Sequence, residues 1–338
     1  MTARGTLAAW ALGVCAFVAP AVAIADTAPS FWERARDPEA TARFALHTKV
    51  RQILAFEVEN PLVRFGALDR ARAVLEAEHA ESSPDPRLRF DLGEVYYKLE
   101  LHEDAVRVLG PAVRELEAHP AALEAIVTLA YSHAKLDHPR EERDAYRLFL
   151  AHAVDTGPRA TATLNLAEAE MRLGDLKLAI ATYEEAIRIA SMLPSGASAH
   201  ETTALAMWGL AVALDRAGET GRAKAEAARA ASIDPNRAIL GGPHVFFVPA
   251  YEIDWYLALG AAAEAASATS PHDAFDYRKI AEDHFRAFVT KARSNDPWLP
   301  LARVRLREAE RLRAAAERVA KATKRPTPPP DPSQTFTF

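Results

Sequence analysis

His200 and Glu201 stand in the order that zinc-dependent hydrolases use, a histidine ligand followed by a carboxylate general base. That chemistry needs a second histidine one helical turn on, so that both imidazoles face one metal. Ala204 occupies that position, and no pair forms. Glu168 and Glu170 are two apart on a helix and project from different faces, so they do not make an acid–base couple. The chain has no Gly-x-Ser-x-Gly elbow for a nucleophilic serine, and no glycine-rich phosphate loop followed by Lys-Ser/Thr. The sole cysteine, Cys15, excludes an internal disulfide and a thiolate metal site in the rest of the chain. The expectation is a protein that is not an enzyme, with no metal and no cofactor.

The elements around these residues read as helices. The 338 residues exceed one typical core and predict two domains or a repeat array. Alanine is abundant, β-branched residues are sparse and there are only 14 glycines, a balance that favours an all-α fold. A formal charge of −5 points to no nucleic-acid partner.

Residues 1–25 read as a signal peptide. Arg4 precedes an uncharged run from Gly5 to Ala25, Leu7 to Val18 supply the apolar stretch, and Pro20 breaks a helix before Ala23-Ile24-Ala25. Cleavage after Ala25 fits the small-x-small rule and predicts a periplasmic or secreted protein of charge −6. Two rivals are an uncleaved membrane anchor and a lipoprotein acylated at Cys15, where Val14 departs from the lipobox.

The body repeats itself. Gly93, Ala105, Leu109 and Ala112 are spaced at 12, 16 and 19 residues, and so are Ala167, Ala179, Tyr183 and Ala186, and again Ala211, Ala223, Ala227 and Ala230. Small residues at such intervals let paired helices close on each other and admit the next pair, and the residue between fills the gap. Gly174-Asp175 and Gly218-Glu219 mark the hairpin turns. Two looser units run through Leu129-Ala130, Ala145 and Phe149, with three extra residues assigned to the turn near Asp137-His138-Pro139, and through Leu259-Gly260, Ala281 and Phe285, with nine extra.

These landmarks resemble the tetratricopeptide repeat family. The clearest match is Leu210-Ala211, Gly218, Ala223, Ala230 and Asp234-Pro235. Next come Leu166-Ala167, Leu173-Gly174-Asp175, Ala179, Tyr183 and Ala186, then Leu92-Gly93, Tyr96, Ala105 and Ala112, with Glu100 in place of the turn glycine. The resemblance implies a right-handed superhelical solenoid of antiparallel helix pairs with a C-terminal capping helix. The expected divisions are a degenerate helical hairpin over 26–84, the repeat array over 85–298, a basic capping helix over 299–325 and a disordered proline-rich tail over 326–338.

The resemblance also implies a partner-binding groove lined by the first helix of each pair. Its matching positions are Phe90, Glu94, Tyr97 and Lys98, then Tyr131 and Lys135, then Glu168 and Arg172, then Trp208, Asp215 and Arg216. Lys98, Lys135, Arg172 and Arg216 fall at one place in four units and form either a basic ladder for an acidic ligand or a solvated face. The function expected is an exported scaffold or adaptor that holds a protein or peptide on its concave face. The alternatives are a structural subunit of a cell-envelope assembly and, least favoured, a cell-wall enzyme.

Two further segments stand out. Val245-Phe246-Phe247-Val248, with Tyr251, Trp255 and Tyr256 behind it, is a docking edge or a loop folded back on its neighbours. Between Arg303 and Arg325 nine Lys/Arg face three Glu, a net +6, which suits an anionic envelope surface, a solvated cap, or docking on an acidic body.

Overall fold

The computed structural model describes residues 30–57, 60, 62–116, 122–242 and 245–323; the leader at 1–25 and the tail from 326 lie outside the described residues. All regular structure among the described residues is helical. The α-helices are α1 (Phe31–Arg36), α2 (Pro38–Gln52), α3 (Arg64–Ala77), α4 (Pro86–Lys98), α5 (His102–Leu116), α6 (Ala122–Lys135), α7 (Pro139–His152), α8 (Thr156–Arg172), α9 (Leu176–Ala190), α10 (Ala197–Arg216), α11 (Thr220–Ile233), α12 (Ile253–Ser267), α13 (Pro271–Lys291) and α14 (Leu299–Ala322). Short turns make consecutive helices antiparallel neighbours, the organisation of an α-solenoid.

Breakers in the sequence begin several of these helices. Asp37-Pro38, Asp85-Pro86 and Ser270-Pro271 each place a proline in the first turn, where its missing N–H costs nothing, behind a side chain that accepts a backbone N–H.

The turns that close the hairpins are copies of one another. Glu100, Asp137, Gly174 and Gly218 all take a left-handed backbone, with φ of 62°, 59°, 82° and 83°. In each turn the next N–H reaches back five residues: Leu101 to Tyr96, His138 to His133, Asp175 to Glu170 and Glu219 to Leu214. This is the closure that satisfies the last carbonyls of a helix, and glycine suits it best. Glu100 and Asp137 therefore do the same job at a steric cost.

The additional residues expected in the looser units do not lie in the turns. The α6–α7 turn has the length of the α8–α9 turn, and α7 is no longer than α9. Glu142, five residues after Asp137, stands where Ala179 stands after Gly174, so this unit carries no extra residues. The extra residues between Gly260 and Ala281 lie mostly in α13, which runs to 21 residues behind a short turn. Counting between landmarks does not distinguish a longer helix from a longer loop.

The chain divides into two compact units, 1–206 and 207–338, with the boundary inside α10. In the first, Val50, Leu54, Leu68, Leu75, Leu88 and Leu92 form one core. Leu109, Ile126, Tyr146 and Phe149 form the next. In the second, the Trp255 ring meets Phe285 and Phe288 edge-on at 5.9 and 5.1 Å. Phe247 packs edge-on against Tyr256 at 5.0 Å, which brings the 245–249 loop back onto α12.

The repeated small positions lie where the spacing places them. Ala105, Leu109 and Ala112, Ala179, Tyr183 and Ala186, and Ala223, Ala227 and Ala230 are all fully buried.

Candidate interaction surface

In the first unit, α4, α6 and α8 are the first helices of three successive pairs. They bring Tyr97, Tyr131 and Asn165 into a row. The three are 34 residues apart whereas the turn residues Glu100, Asp137 and Gly174 recur every 37, so each sits about one helical turn earlier in its helix than the last. Tyr97 and Tyr131 stack with centroids 6.2 Å apart and planes 23° from parallel. The Asn165 amide reaches the Tyr131 hydroxyl at 3.5 Å. Tyr146, from α7, meets Tyr131 edge-on at 6.4 Å from beneath and is itself buried. His102, at the start of α5, lies 5.6 Å from Tyr97. Burial, helped by Lys135, lowers the His102 pKa.

Tyr97 and Tyr131 are half-buried, with ring area left for a ligand. Rigid amphipathic aromatics of this kind contribute contact area at little cost in side-chain entropy. Charges frame them. Glu94 accepts from Arg51 at 2.5 Å and pairs with Lys98 at 3.5 Å. Lys135 is exposed on α6, and Glu168 accepts the Tyr183 hydroxyl at 2.6 Å.

Five expected groove residues lie in the interior. Phe90 is 8% exposed and belongs to the core with Leu109 and Ile126. The Arg172 guanidinium spans Glu142 at 2.6 Å and Asp137 at 2.7 Å, tying α8 to α7 and the α6–α7 turn. Burial pushes the Glu142 carboxyl up to about 8 against the pull of Arg172. Trp208 is fully buried, and its indole N–H donates to Asp234 at 3.0 Å. Gly260 makes room for it, since a Cβ there would sit 3.0 Å from the Trp208 ring.

Arg216 donates to Glu252 at 2.5 Å and is held between the Trp255 and Trp298 rings at 4.6 and 4.8 Å. Asp215 accepts from the Trp255 indole and from Arg305 Nε, both at 3.1 Å. The basic ladder is thus not a continuous free strip: Lys98 pairs within its helix, while Arg172 and Arg216 pin neighbouring elements. Desolvating an arginine requires such partners, which is why these two are internal ties.

His102, Tyr146 and Asn165 were absent from the expected groove. Tyr146 carries a readable signal: it lies 37 residues from both Leu109 and Tyr183, at the same buried place nine residues after the turn residue. Asn165 and His102 have none.

Residues 158–236 match the family model described as tetratricopeptide repeat. That segment carries tetratricopeptide repeats. Among solved structures, the repeat chain is similar to MamA, with 18% identity, 59% of this chain and 94% of that one covered, and a TM-score of 0.38. It is also similar to the P58(IPK) TPR domain, at 16% identity, 88% and 72% coverage and a TM-score of 0.34. A third is the TPR2AB-domain:pHSP90-complex of yeast Sti1, at 17% identity, 81% and 99% coverage and a TM-score of 0.27. None of the three superposes well enough to carry a conclusion about this chain. No curated protein sequence matches the repeat protein.

Proposed function

We propose that this repeat protein is a scaffold that holds a protein or peptide partner across the first helices of its first unit. The observation that carries the reading is the half-buried Tyr97–Tyr131 stack, which joins the first helices of two successive pairs and is framed by Glu94, Lys98, Lys135 and Glu168. An extended or helical segment laid across α4, α6 and α8 would meet aromatic area in its middle and charge at its rim, the arrangement that gives affinity and register together. The face expected to be concave is the one these helices present. The interior places of Trp208, Asp215 and Arg216 remove them from it.

A photo-crosslinking side chain at Lys135, beside the stack, is expected to capture a discrete partner in cells, and one at Arg188 on α9 is not. Replacing Tyr97 and Tyr131 together with alanine should abolish the Lys135 adduct. Capture that survives the double replacement, or that occurs only from position 188, would sink the reading.

The proposed workplace lies outside the cytoplasm, periplasmic or secreted, on the strength of the sequence of residues 1–25. Mass measurement of the N-terminus in fractionated cells is expected to find a chain starting at Asp26; a chain retaining the leader overturns cleavage.

A further inference from the structure

The nine cations at the end of the chain are not equivalent. Arg305 turns inward to Asp215. Arg313 and Arg286 tie α14 to α13 through Glu282 and Glu310. Arg303, Arg307, Arg311 and Arg318 are exposed, and no ion pair among the described residues engages them. At 100° per residue these four fall within an arc of about 80° along roughly 22 Å of helix. Lys321 continues the line, paired with Glu317 at 2.8 Å. No carboxylate lies inside the arc. Val304 and Val319, 44% and 55% exposed, lie along one side of it, and Glu310 and Glu317, paired with Arg286 and Arg313, along the other.

We infer that this outward face of α14 is a docking surface for an anionic lipid bilayer. A narrow straight row of cations on a convex helix can meet a plane along its whole length, and phosphate headgroups supply the opposite charge. The two valines reach only the interfacial depth. No helix among the described residues is long and apolar enough to cross a membrane, so the contact made by this face is peripheral.

An acidic protein partner fits less well. One convex helix face buries less than a stable protein interface needs, and this one offers no aromatic or large aliphatic anchor. A nucleic-acid groove fits less well too, because a helix lying in it meets phosphates on both flanks and requires cations across a wider arc.

The test is sedimentation of the full-length protein with vesicles of neutral phosphatidylcholine alone and with a third of the lipid replaced by phosphatidylglycerol. The apolar run at residues 5–25 would bind both kinds alike, so the difference between them reads the α14 face. Anionic vesicles are expected to bind at least tenfold more tightly, and the preference should collapse at high salt. Replacing Arg303, Arg307, Arg311 and Arg318 with glutamine should lower anionic binding by two orders of magnitude or more. These side chains are exposed and glutamine keeps the helix, so the melting temperature should hold. The same change of charge placed at Lys177, Arg188, Arg222 and Lys224 should leave most of the preference intact. Equal loss in both variants, no preference for anionic lipid, or binding to duplex DNA or an acidic protein without binding to vesicles would each overturn the proposal.

Discussion

Leu109 fills the space that a side chain on Gly93 would need. A Cβ at Gly93 would lie 2.2 Å from Leu109 Cδ2 and 2.3 Å from Cγ. The pair shows why the first small residue of this repeat is glycine and why the residue sixteen positions on is large. Gly93→Ala gains helix propensity of about 1 kcal/mol but overpacks a closed contact, at about 1–3 kcal/mol or more. Urea denaturation should show net destabilisation. Leu109→Ala should cost about 2–5 kcal/mol by itself, and the double variant clearly less than the sum of the two. Additive effects would mean that α4 and α5 part freely.

Glu100 and Asp137 hold left-handed backbones that Gly174 and Gly218 adopt without strain. Glu100→Gly should stabilise the first unit by roughly 0.5–1 kcal/mol, the relieved strain outweighing the entropy of a freer unfolded chain. Asp137→Gly relieves the same strain but removes a partner of Arg172, so its gain should be smaller. Thermal melts of the two variants, singly and together, check this; a fall in midpoint for both would count against the shared turn.

Asp234 accepts three N–H groups at once: the Trp208 indole at 3.0 Å, Ile239 at 2.8 Å and Leu240 at 3.1 Å. It is 1% exposed. Asp234→Ala should orphan all three and cost roughly 3–5 kcal/mol. Asp234→Asn, which keeps one acceptor oxygen, should cost clearly less. Tryptophan fluorescence during denaturation reads the loss directly, and a cost below about 1 kcal/mol would show that the cluster is not held by this carboxylate.

Glu142 links stability to pH. Its carboxyl rises from 4.5 to about 8 on burial, so between those values the folded chain keeps a proton that the unfolded chain has released. The fold is therefore favoured at the lower end and loses stability as pH climbs towards 8. Glu142→Gln removes the proton exchange. The unfolding free energy of the parent minus that of the variant should fall by on the order of 2 kcal/mol between about pH 5 and about pH 8. Parallel profiles would place the proton elsewhere.

The helical pairing was legible because close packing leaves few choices: a backbone approach admits only Gly or Ala, and those residues recur at fixed steps through Ala179, Ala186, Ala223 and Ala230. Tyr97 and Tyr131 were legible as residues of the first helices, although they hold different places in their repeats and their stacking was not. The fates of Trp208, Asp215 and Arg216 were not. A single unit's pattern says which face of α10 is free within that unit, and nothing in it announces that Trp255, Trp298 and Arg305 return from later helices to cover that face. The length of α13 was hidden for another reason: an insertion between two landmarks leaves the same count wherever it falls. In α7 the landmark itself was disguised, because the buried Glu142 takes the place that a small residue holds in the other units.

The tie between Asp215 and Arg305 spans 90 residues of chain. On a ribosome α10 emerges well before its guanidinium exists, and a carboxylate without that partner resists being enclosed. Synthesis must therefore run almost to completion before the second unit shuts, whereas the first can settle beforehand. Products that stop short of α14 are left with an unsealed end, open to the proteases that clear failed translation.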